Sequence, residues 1–306
     1  MLKIGIIGNG VHSKRIQKIL SKKKIKFYLY KPNNKSYFDK EKYNELKKKN
    51  VIFILTPNKT HFHYINELKL GRYIFCEKPP VSSIKEINKL KKLNLKKVYF
   101  NFNFRHSTIA EFLKKTKKFN LGKLIYGKFI MGHGLAYKKE YLYNWRSSKK
   151  LCPKGVFELV SIHWIDMVNY VFGVKSCKTR FNNFSKKGST YDTSYTTIDT
   201  KNNAKIDIIS TYASPLITDK KFIFTNGIIE QNSNNIIISG PTKNLDKNNN
   251  FIKPKIIKKI YINDDKDYIN SLNKSVDYFL NSVKKKKIFL KKNTTTSISS
   301  NKILLS

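Results

Sequence analysis

Short apolar segments alternating with helical segments predict an α/β fold whose first domain is a doubly wound parallel sheet. Two further observations support this fold: a Gly8-x-Gly10 turn follows the first apolar segment, and a later one ends abruptly at Glu77-Lys78-Pro79. Beyond residue 176, short β-prone segments separated by Asn- and Gly-containing turns predict an α+β domain with an open, mostly antiparallel or mixed sheet. We expect domains at residues 1–119 and 120–306.

The first apolar segment, residues 3–7, runs into a glycine turn and then a helical stretch at 14–20. Strand, glycine turn and helix in this order are typical of a dinucleotide-binding turn. Gly8 permits the tight turn, Gly10 lets the backbone approach a diphosphate, and the helix N-terminus offers its N–H groups to that anion. A glycine turn without a nucleotide is the alternative. The predicted cofactor-binding residues here are Gly8, Asn9, Gly10, Val11 and His12.

Ser13 occupies the third glycine position of this turn, which we expect to loosen the packing of helix on strand slightly. The second apolar segment, residues 25–30, ends at Lys31 rather than at the acidic residue that would bind a ribose 2′-hydroxyl. A lysine there slightly favours NADP over NAD, because it can pair with a 2′-phosphate. The preference is weak in a chain this rich in lysine.

Lys78 lies where the strand before it must stop, because Pro79 and Pro80 cannot extend a central ladder. The carboxyl end of a strand is where open α/β sheets bind their ligands. A lysine in that place can donate or accept a proton once burial and neighbours have shifted its pKa. The plain alternative is one more surface lysine.

Composition limits the class of protein. The chain has 306 residues and a net charge of +42, yet only five of its 62 basic residues are arginine, which leaves 57 lysines. Nucleic-acid sites favour arginine, and lysine is scattered along the whole chain, so we expect a compositional bias and no specific nucleic-acid partner. Three unpaired cysteines indicate neither disulfides nor a metal site. Without a signal peptide or an apolar membrane span, we expect a cytoplasmic protein and no membrane partner.

Several ordered motifs resemble the Gfo/Idh/MocA family of NAD(P)-dependent oxidoreductases. They cover the first 173 residues well, and the resemblance beyond rests on β-rich pattern and length. The motifs are Gly8-x-Gly10, Thr56-Pro57-Asn58-x-x-His61, Gly71-x-x-Ile74-x-Cys76-Glu77-Lys78-Pro79, Asn103-Phe104-Arg105, Leu121-Gly122-Lys123, Trp145-Arg146, Gly155, His163-Trp164-Ile165-Asp166 and Tyr170-Val171-Phe172-Gly173.

The resemblance implies a Rossmann domain, a second domain whose sheet often packs against a partner subunit, and hydride transfer between NAD(P) and a carbinol or carbonyl carbon of a sugar, sugar derivative or cyclitol. It places Lys78 near the reacting hydroxyl, and it makes His163 an acid/base or substrate-binding group. We therefore expect a sugar-like substrate and a homo-oligomer. The remaining implied residues are Thr56, Pro57, Asn58, His61 and Glu77 for the cofactor, and Arg105, Trp145, Arg146 and Asp166 for the substrate.

One departure concerns the helix predicted at residues 156–172, where His163 and Asp166 lie on one face. The family commonly has an aspartate four residues before the histidine and a glycine two before it, where this chain has Leu159 and Ser161. Three alternatives follow: Lys78 carries the proton chemistry largely alone, Glu158 substitutes after a local shift, or activity is impaired. The last would make the protein a non-catalytic nucleotide- or sugar-binding member of the same fold.

Overall fold

The computed structural model of the protein describes residues 2–32, 40–232, 234–241 and 243–306. The chain divides into two compact units, Met1–Asn103 with Leu272–Ser306, and Phe104–Ser271. This division differs from the predicted boundary at residue 119, since residues 104–119 belong to the second unit and the C-terminal residues to the first.

The first unit is built on a parallel sheet flanked by helices. Its strands stand in the order β2-β1-β3-β4-β5, so the chain order reverses at β1. The strands are β1 (Ile4–Ile7), β2 (Phe27–Tyr30), β3 (Val51–Ile54), β4 (Tyr73–Glu77) and β5 (Val98–Asn101). The first four helices are α1 (Val11–Lys22), α2 (Lys40–Lys47), α3 (His61–Leu68) and α4 (Ile84–Lys91). The predicted doubly wound Rossmann-type sheet is confirmed.

The core of this unit lies on the sheet face formed by β1, β3 and β4, and the C-terminal part of the chain completes it. Leu272, Val276, Phe279 and Val283 recur at helical spacing and bury their side chains against Phe53 and Phe75 of the sheet. This packing explains why the chain from Leu272 onward belongs to the first unit.

The second unit is built on a mixed eight-stranded sheet in the order β13-β12-β11-β10-β6-β9-β8-β7. Neighbouring strands are antiparallel except β6 and β9, which are parallel, so the predicted mostly antiparallel sheet is confirmed. The strands are β6 (Leu124–Gly132), β7 (Val174–Asn182), β8 (Thr193–Thr200), β9 (Lys205–Thr211), β10 (Ile217–Phe224), β11 (Gly227–Gln231), β12 (Asn235–Ser239) and β13 (Ile256–Tyr261).

The remaining helices are α5 (Thr108–Leu113), α6 (Ile162–Val171), α7 (Asp264–Lys284) and α8 (Lys291–Leu305). Helix α5 ends at Leu113, and a separate 3₁₀ turn covers Thr116–Phe119. In the first unit, α8 packs against β5 and α4, and the Val81 N–H donates to Asn301 Oδ1 at 2.8 Å.

One face of the second sheet is buried, and Trp164 of α6 stacks on Phe129 of that face with ring centroids 5.3 Å apart. Lys220 lies on the same face, directly across from Phe129, and is 4% exposed. Its Nζ is 4.7 Å from the centroid of the Trp164 ring. Burial lowers the pKa of Lys220 to about 8, against an opposing effect of Asp264 and Asp267. The inner face of this sheet therefore holds a basic side chain among aromatic rings.

None of the helices in the described parts of the chain combines the length and apolar character that crossing a membrane requires.

Candidate functional site

The glycine turn after β1 requires glycine at its first position. Gly8 has φ +101°, and a Cβ added there would lie 2.5 Å from the carbonyl oxygen of Leu55. The Gly8 N–H donates to the Tyr30 carbonyl at 2.9 Å, and the Ser13 hydroxyl donates to the Gly8 carbonyl at 2.7 Å. Ser13 is fully buried. The serine that we expected to loosen this packing instead closes the turn with a hydrogen bond.

The outer side of the same turn is open. Gly10 is the N-cap residue of α1, and no side chain of the described residues caps the helix there. A Cβ added at Gly10 would meet nothing within 4 Å, Asn9 is exposed, and Val11 is 73% exposed. Helix N–H groups facing such an opening suit an anion. These residues therefore fit the diphosphate of a dinucleotide.

The loop after β3 is tied to the Lys78 loop by one histidine. His61 is buried, with Nδ1 2.8 Å from the Pro79 carbonyl oxygen and Nε2 2.9 Å from that of Thr56. Burial lowers the pKa of His61, although the two carbonyl oxygens act in the opposite direction. Because both ring nitrogens face protein oxygens, this residue, predicted to bind cofactor, holds two loops together in the structure.

The other predicted residues of this loop lie at its turn. The hydroxyl of Thr60 lies 2.7 Å from Thr56 Oγ1 and donates to the Pro57 carbonyl at 2.8 Å. Asn58 begins a 3₁₀ turn that ends at Thr60. This turn fixes Thr56, Pro57 and Asn58 at the carboxyl end of β3, the edge where the glycine turn follows β1.

Glu77 is the centre of the hydrogen-bond network at that edge. It is 8% exposed, and its Oε1 lies 2.8 Å from His12 Nε2 and accepts a bond from Asn101 Nδ2 at 2.6 Å. Burial alone would raise the pKa of the Glu77 carboxyl, but the His12 imidazole and the bonds from His12 and Asn101 lower it below its ordinary value. A charged carboxylate thus joins the start of α1 to the ends of β4 and β5.

The network continues inward through residues that the sequence did not mark as functional. Asn101 pairs with Glu77 in the register of β4 and β5, and its Oδ1 accepts a bond from the Ser275 hydroxyl at 2.6 Å. Ser275 also lies 2.9 Å from the hydroxyl of Tyr99. A polar residue at the end of an apolar strand could have drawn attention to Asn101. Nothing near Ser275 in the sequence could have done so, since it joins the network from α7.

Lys78 follows the last residue of β4, where its N–H lies 3.3 Å from Glu77 Oε2. The residue is half-buried. Lys31 follows the last residue of β2 at the same edge of the sheet, and it is exposed. The first unit thus brings its predicted cofactor residues and Lys78 to one end of the parallel sheet.

In the second unit, His163 lies in the first turn of α6 and is half-buried, with the Phe104 ring 4.8 Å away. The five residues before α6, Phe157–Ser161, form a π-helical turn. The predicted helix at 156–172 therefore begins with a wider turn than the sequence indicated.

Arg105 and Asp166, both predicted to bind substrate, are bound to each other. Arg105 Nε and Nη2 donate to the two oxygens of Asp166, each at 2.7 Å. The side chains are 3% and 0% exposed, and the Tyr170 ring lies 4.7 Å from the guanidinium carbon of Arg105. This bidentate pair neutralises both charges inside the second unit.

Trp145 and Arg146 lie in an exposed 3₁₀ turn of the second unit. The guanidinium carbon of Arg146 is 4.8 Å from the Trp145 ring, and the Arg146 N–H donates to Asn144 Oδ1 at 3.1 Å. Trp145 is 45% exposed. An exposed aromatic ring beside a cation is a surface that a polyol or its carboxylate derivative can contact. Elsewhere, the described residues contain no cluster of His, Cys, Asp and Glu side chains able to hold a metal ion.

Residues 10–99 match the model of an oxidoreductase family with an NAD-binding Rossmann fold, Gfo/Idh/MocA. The matched residues lie within the first unit. The match confirms the resemblance predicted from the motifs and the predicted class of enzyme, an NAD-dependent oxidoreductase. A search of curated protein sequences finds no match.

Solved structures of similar fold cover nearly the whole chain. Levoglucosan dehydrogenase, in complex with NADH and levoglucosan, superposes with a TM-score of 0.79 at 16% identity, covering 99% of this chain and 95% of that one. An Agrobacterium radiobacter oxidoreductase in complex with NAD⁺, L-tartaric acid and magnesium gives 0.74 at 14%, covering 98% and 93%. An NAD-binding oxidoreductase from Klebsiella pneumoniae gives 0.75 at 13%, covering 99% and 95%. At these identities the likeness shows the fold.

Proposed function

We propose that the protein transfers hydride between a nicotinamide and a carbinol or carbonyl carbon of a sugar, sugar derivative or cyclitol. The observation that carries this proposal is the Glu77 network. One charged carboxylate accepts from the main-chain N–H of the residue after it, Lys78, and contacts the His12 ring in the first turn of α1. The main chain of the candidate proton-transfer residue is thereby tied to the turn that suits a dinucleotide.

When bound, the nicotinamide would accept or donate the hydride, and residues of the chain would bind the substrate and transfer the proton. Oxidation of a carbinol releases a proton from the hydroxyl as the hydride leaves carbon, and we assign that proton to the Lys78 amine. The assignment is supported by the half-buried position of Lys78 at the carboxyl end of β4. We assign His163 to acid/base chemistry or to binding of the substrate oxygen.

Lys31 supports a slight preference for NADP. It follows Tyr30, whose carbonyl accepts the Gly8 N–H, so it stands directly beside the glycine turn. A lysine there can pair with a 2′-phosphate.

The substrate class is supported by the ligands of two neighbours in fold, levoglucosan and L-tartaric acid, which are both polyhydroxy compounds. The exposed Trp145 and Arg146 are the proposed contacts of the second unit, whereas Arg105 and Asp166 are already bound to each other. We further propose a cytoplasmic homo-oligomer that assembles through the eight-stranded sheet.

Leu159 favours a second candidate function. It stands where the family commonly has an aspartate, and a protein without that carboxylate could bind nucleotide and sugar without turning them over. Absorbance of the nicotinamide, followed with a panel of sugars, sugar acids and cyclitols, separates the two functions. Turnover of any panel member supports the dehydrogenase, and binding without absorbance change supports the second function.

Gly10→Val tests the nucleotide site itself. Because a Cβ at Gly10 points into open space that we assign to the diphosphate, the variant should lose about 100-fold or more in affinity for NAD(P) while remaining folded. Gly134→Val is the matched control, since a Cβ there meets only ordinary contacts at 3.6 Å and beyond. Unchanged titration of cofactor fluorescence in folded Gly10→Val would refute the site.

A further inference from the structure

The amino ends of the parallel strands in the first unit meet at one edge of the sheet, opposite the edge that carries the glycine turn. Main-chain bonds join the loops at this edge. The Asn50 N–H donates to the Lys3 carbonyl at 3.0 Å, and the Tyr73 N–H donates to the Asn50 carbonyl at 3.1 Å. The Phe289 N–H donates to the Lys96 carbonyl at 2.9 Å. We call this surface the amino face; it consists of residues 22–26, 47–50, 69–72, 91–97 and 284–292.

Lysine is the commonest side chain on the amino face. A run of four, Lys284–Lys287, begins at the last residue of α7, and all four side chains are exposed. Six more exposed lysines precede β2 and β5. They are Lys22, Lys24, Lys26, Lys91, Lys92 and Lys96. No carboxylate in the described parts of the chain forms an ion pair with any of these lysines.

The other charged side chains near the amino face have partners within the chain. Glu45, Glu67 and Asp277 are each in an ion pair with a lysine of the face. Arg72 Nη2 donates to the Lys47 carbonyl at 2.7 Å, and its Nε donates to a second main-chain carbonyl at 3.2 Å. The exposed lysines therefore set the electrostatic potential of the face, and that potential attracts anions.

Exposed aliphatic side chains lie among these lysines. Phe289 is 4% exposed and belongs to the core of the first unit, with its ring 6.2 Å from that of Tyr73. Its neighbours Ile288 and Leu290 are 57% and 65% exposed, and Leu70, in the loop before β4, is 75% exposed. Because the buried Phe289 ring fixes its segment, the aliphatic side chains on both sides of it are held at the surface.

We propose that the amino face binds the surface of an anionic lipid bilayer. A cluster of lysines beside a membrane is attracted to acidic headgroups, and each lysine contributes about fivefold to partitioning. Aliphatic side chains add to this attraction, because they insert at the boundary between headgroups and acyl chains. A protein bound in this way lies on the membrane and does not cross it. The contact is separate from the proposed hydride transfer, since the glycine turn lies at the opposite edge of the sheet.

The side chains of the amino face favour lipid over nucleic acid. Nucleic-acid sites read bases with the guanidinium fork of arginine and stack them on aromatic rings. The fork of Arg72 is bound to main-chain carbonyls, and the exposed apolar side chains named above are aliphatic. Lysine contacts an acidic headgroup as a point charge, which requires no fixed geometry.

Vesicle flotation tests the contribution of charge. The protein should bind vesicles of phosphatidylcholine mixed with phosphatidylserine, should bind phosphatidylcholine alone much less, and should be released by added salt. The test variant combines Lys284→Gln, Lys285→Gln, Lys286→Gln and Lys287→Gln. It should bind the mixed vesicles about 100-fold more weakly or worse, since four lysines leave the surface.

A matched control removes the same charge from another part of the protein. It combines Lys175→Gln, Lys178→Gln, Lys201→Gln and Lys205→Gln, all exposed in the second unit. Both variants should keep the urea midpoint of the unaltered protein, because the side chains are exposed. The control should bind the mixed vesicles almost as well as the unaltered protein. Equal losses in the two variants would assign the attraction to the net charge of the chain and overturn the proposal, as would failure of the unaltered protein to bind.

The aliphatic side chains distinguish a bilayer from other polyanions. Ile288→Ser combined with Leu290→Ser keeps the charge of the amino face and should weaken vesicle binding about 10-fold or more, because apolar burial is lost. Leu216→Ser, at an 83% exposed leucine of the second unit, is the control and should leave binding unchanged. Undiminished binding by the double variant contradicts the proposal. Binding of random-sequence RNA that the lysine variant loses, without any binding to vesicles, would assign the face to nucleic acid instead.

Discussion

Two buried carboxylates, one in each unit, show how partners decide the role of an acidic residue. Glu77 holds groups from α1 and β5 around a single oxygen, all at the edge of the sheet where a cofactor would bind. Asp166 gives both of its oxygens to one arginine inside the second unit. Glu77 organises the predicted cofactor site, whereas Asp166 neutralises the charge of Arg105. Both carboxylates belong to the motifs that resemble one family.

Lys78→Met should give the largest effect. It tests proton transfer at the site that Glu77 organises in the first unit. General acid–base groups contribute about 10²–10⁴-fold to turnover, so kcat should fall by that factor while cofactor affinity is largely preserved. Steady-state kinetics with a cofactor titration measure both. Lys91→Met, an exposed lysine at the end of α4, is the control. A His163→Ala loss as large as that of Lys78→Met would show that the two residues are ranked wrongly.

Asp166→Asn tests the neutralising role of the second region. The variant leaves Arg105 charged and buried without its partner, which should cost about 3–5 kcal/mol of unfolding free energy in denaturant titration. Asp219→Asn, which breaks a partly exposed pair with Lys128, should cost no more than about 1 kcal/mol. A stable Asp166→Asn protein with a raised KM would return Asp166 to the substrate-binding residues that the sequence suggested.

Lys31→Asp should give the smallest effect. If Lys31 pairs with a 2′-phosphate, the affinity for NADP should fall about 10-fold or more and that for NAD much less, since a charge-assisted bond becomes a repulsion. The difference should shrink at high salt, because Lys31 is exposed. Lys26→Asp, just before the other end of β2, is the control. Equal losses for both coenzymes would make Lys31 one more solvated lysine.

The sequence indicated which residues of the first unit lie together, because parallel strands deliver their carboxyl ends to one edge. Once the strands were placed, Gly8, Thr56 and Glu77 had to lie together. It did not predict Ser275, since that contact depends on where α7 packs. An apolar helix face shows that a helix is buried, but it does not say against which sheet.

The second unit was predicted less completely, and its π turn explains why. The sequence from Val156 to Phe172 shows a helix, but a turn widened by one residue leaves no signal in apolar spacing. The pairing of Arg105 with Asp166 was equally hidden, because the two lie 61 positions apart.

Lys220 is a buried lysine whose charge the folded second unit must accommodate. A side chain that titrates at about 10.5 when unfolded titrates at about 8 over Trp164, so the unfolded chain holds more protons between those two values. Folding stability should therefore rise with pH across that alkaline interval, and the protein near neutrality should tolerate the buried charge at a cost of about 3 kcal/mol. Lys220→Met should recover about that free energy, and the second sheet therefore offers a single substitution that raises the thermal stability of the protein.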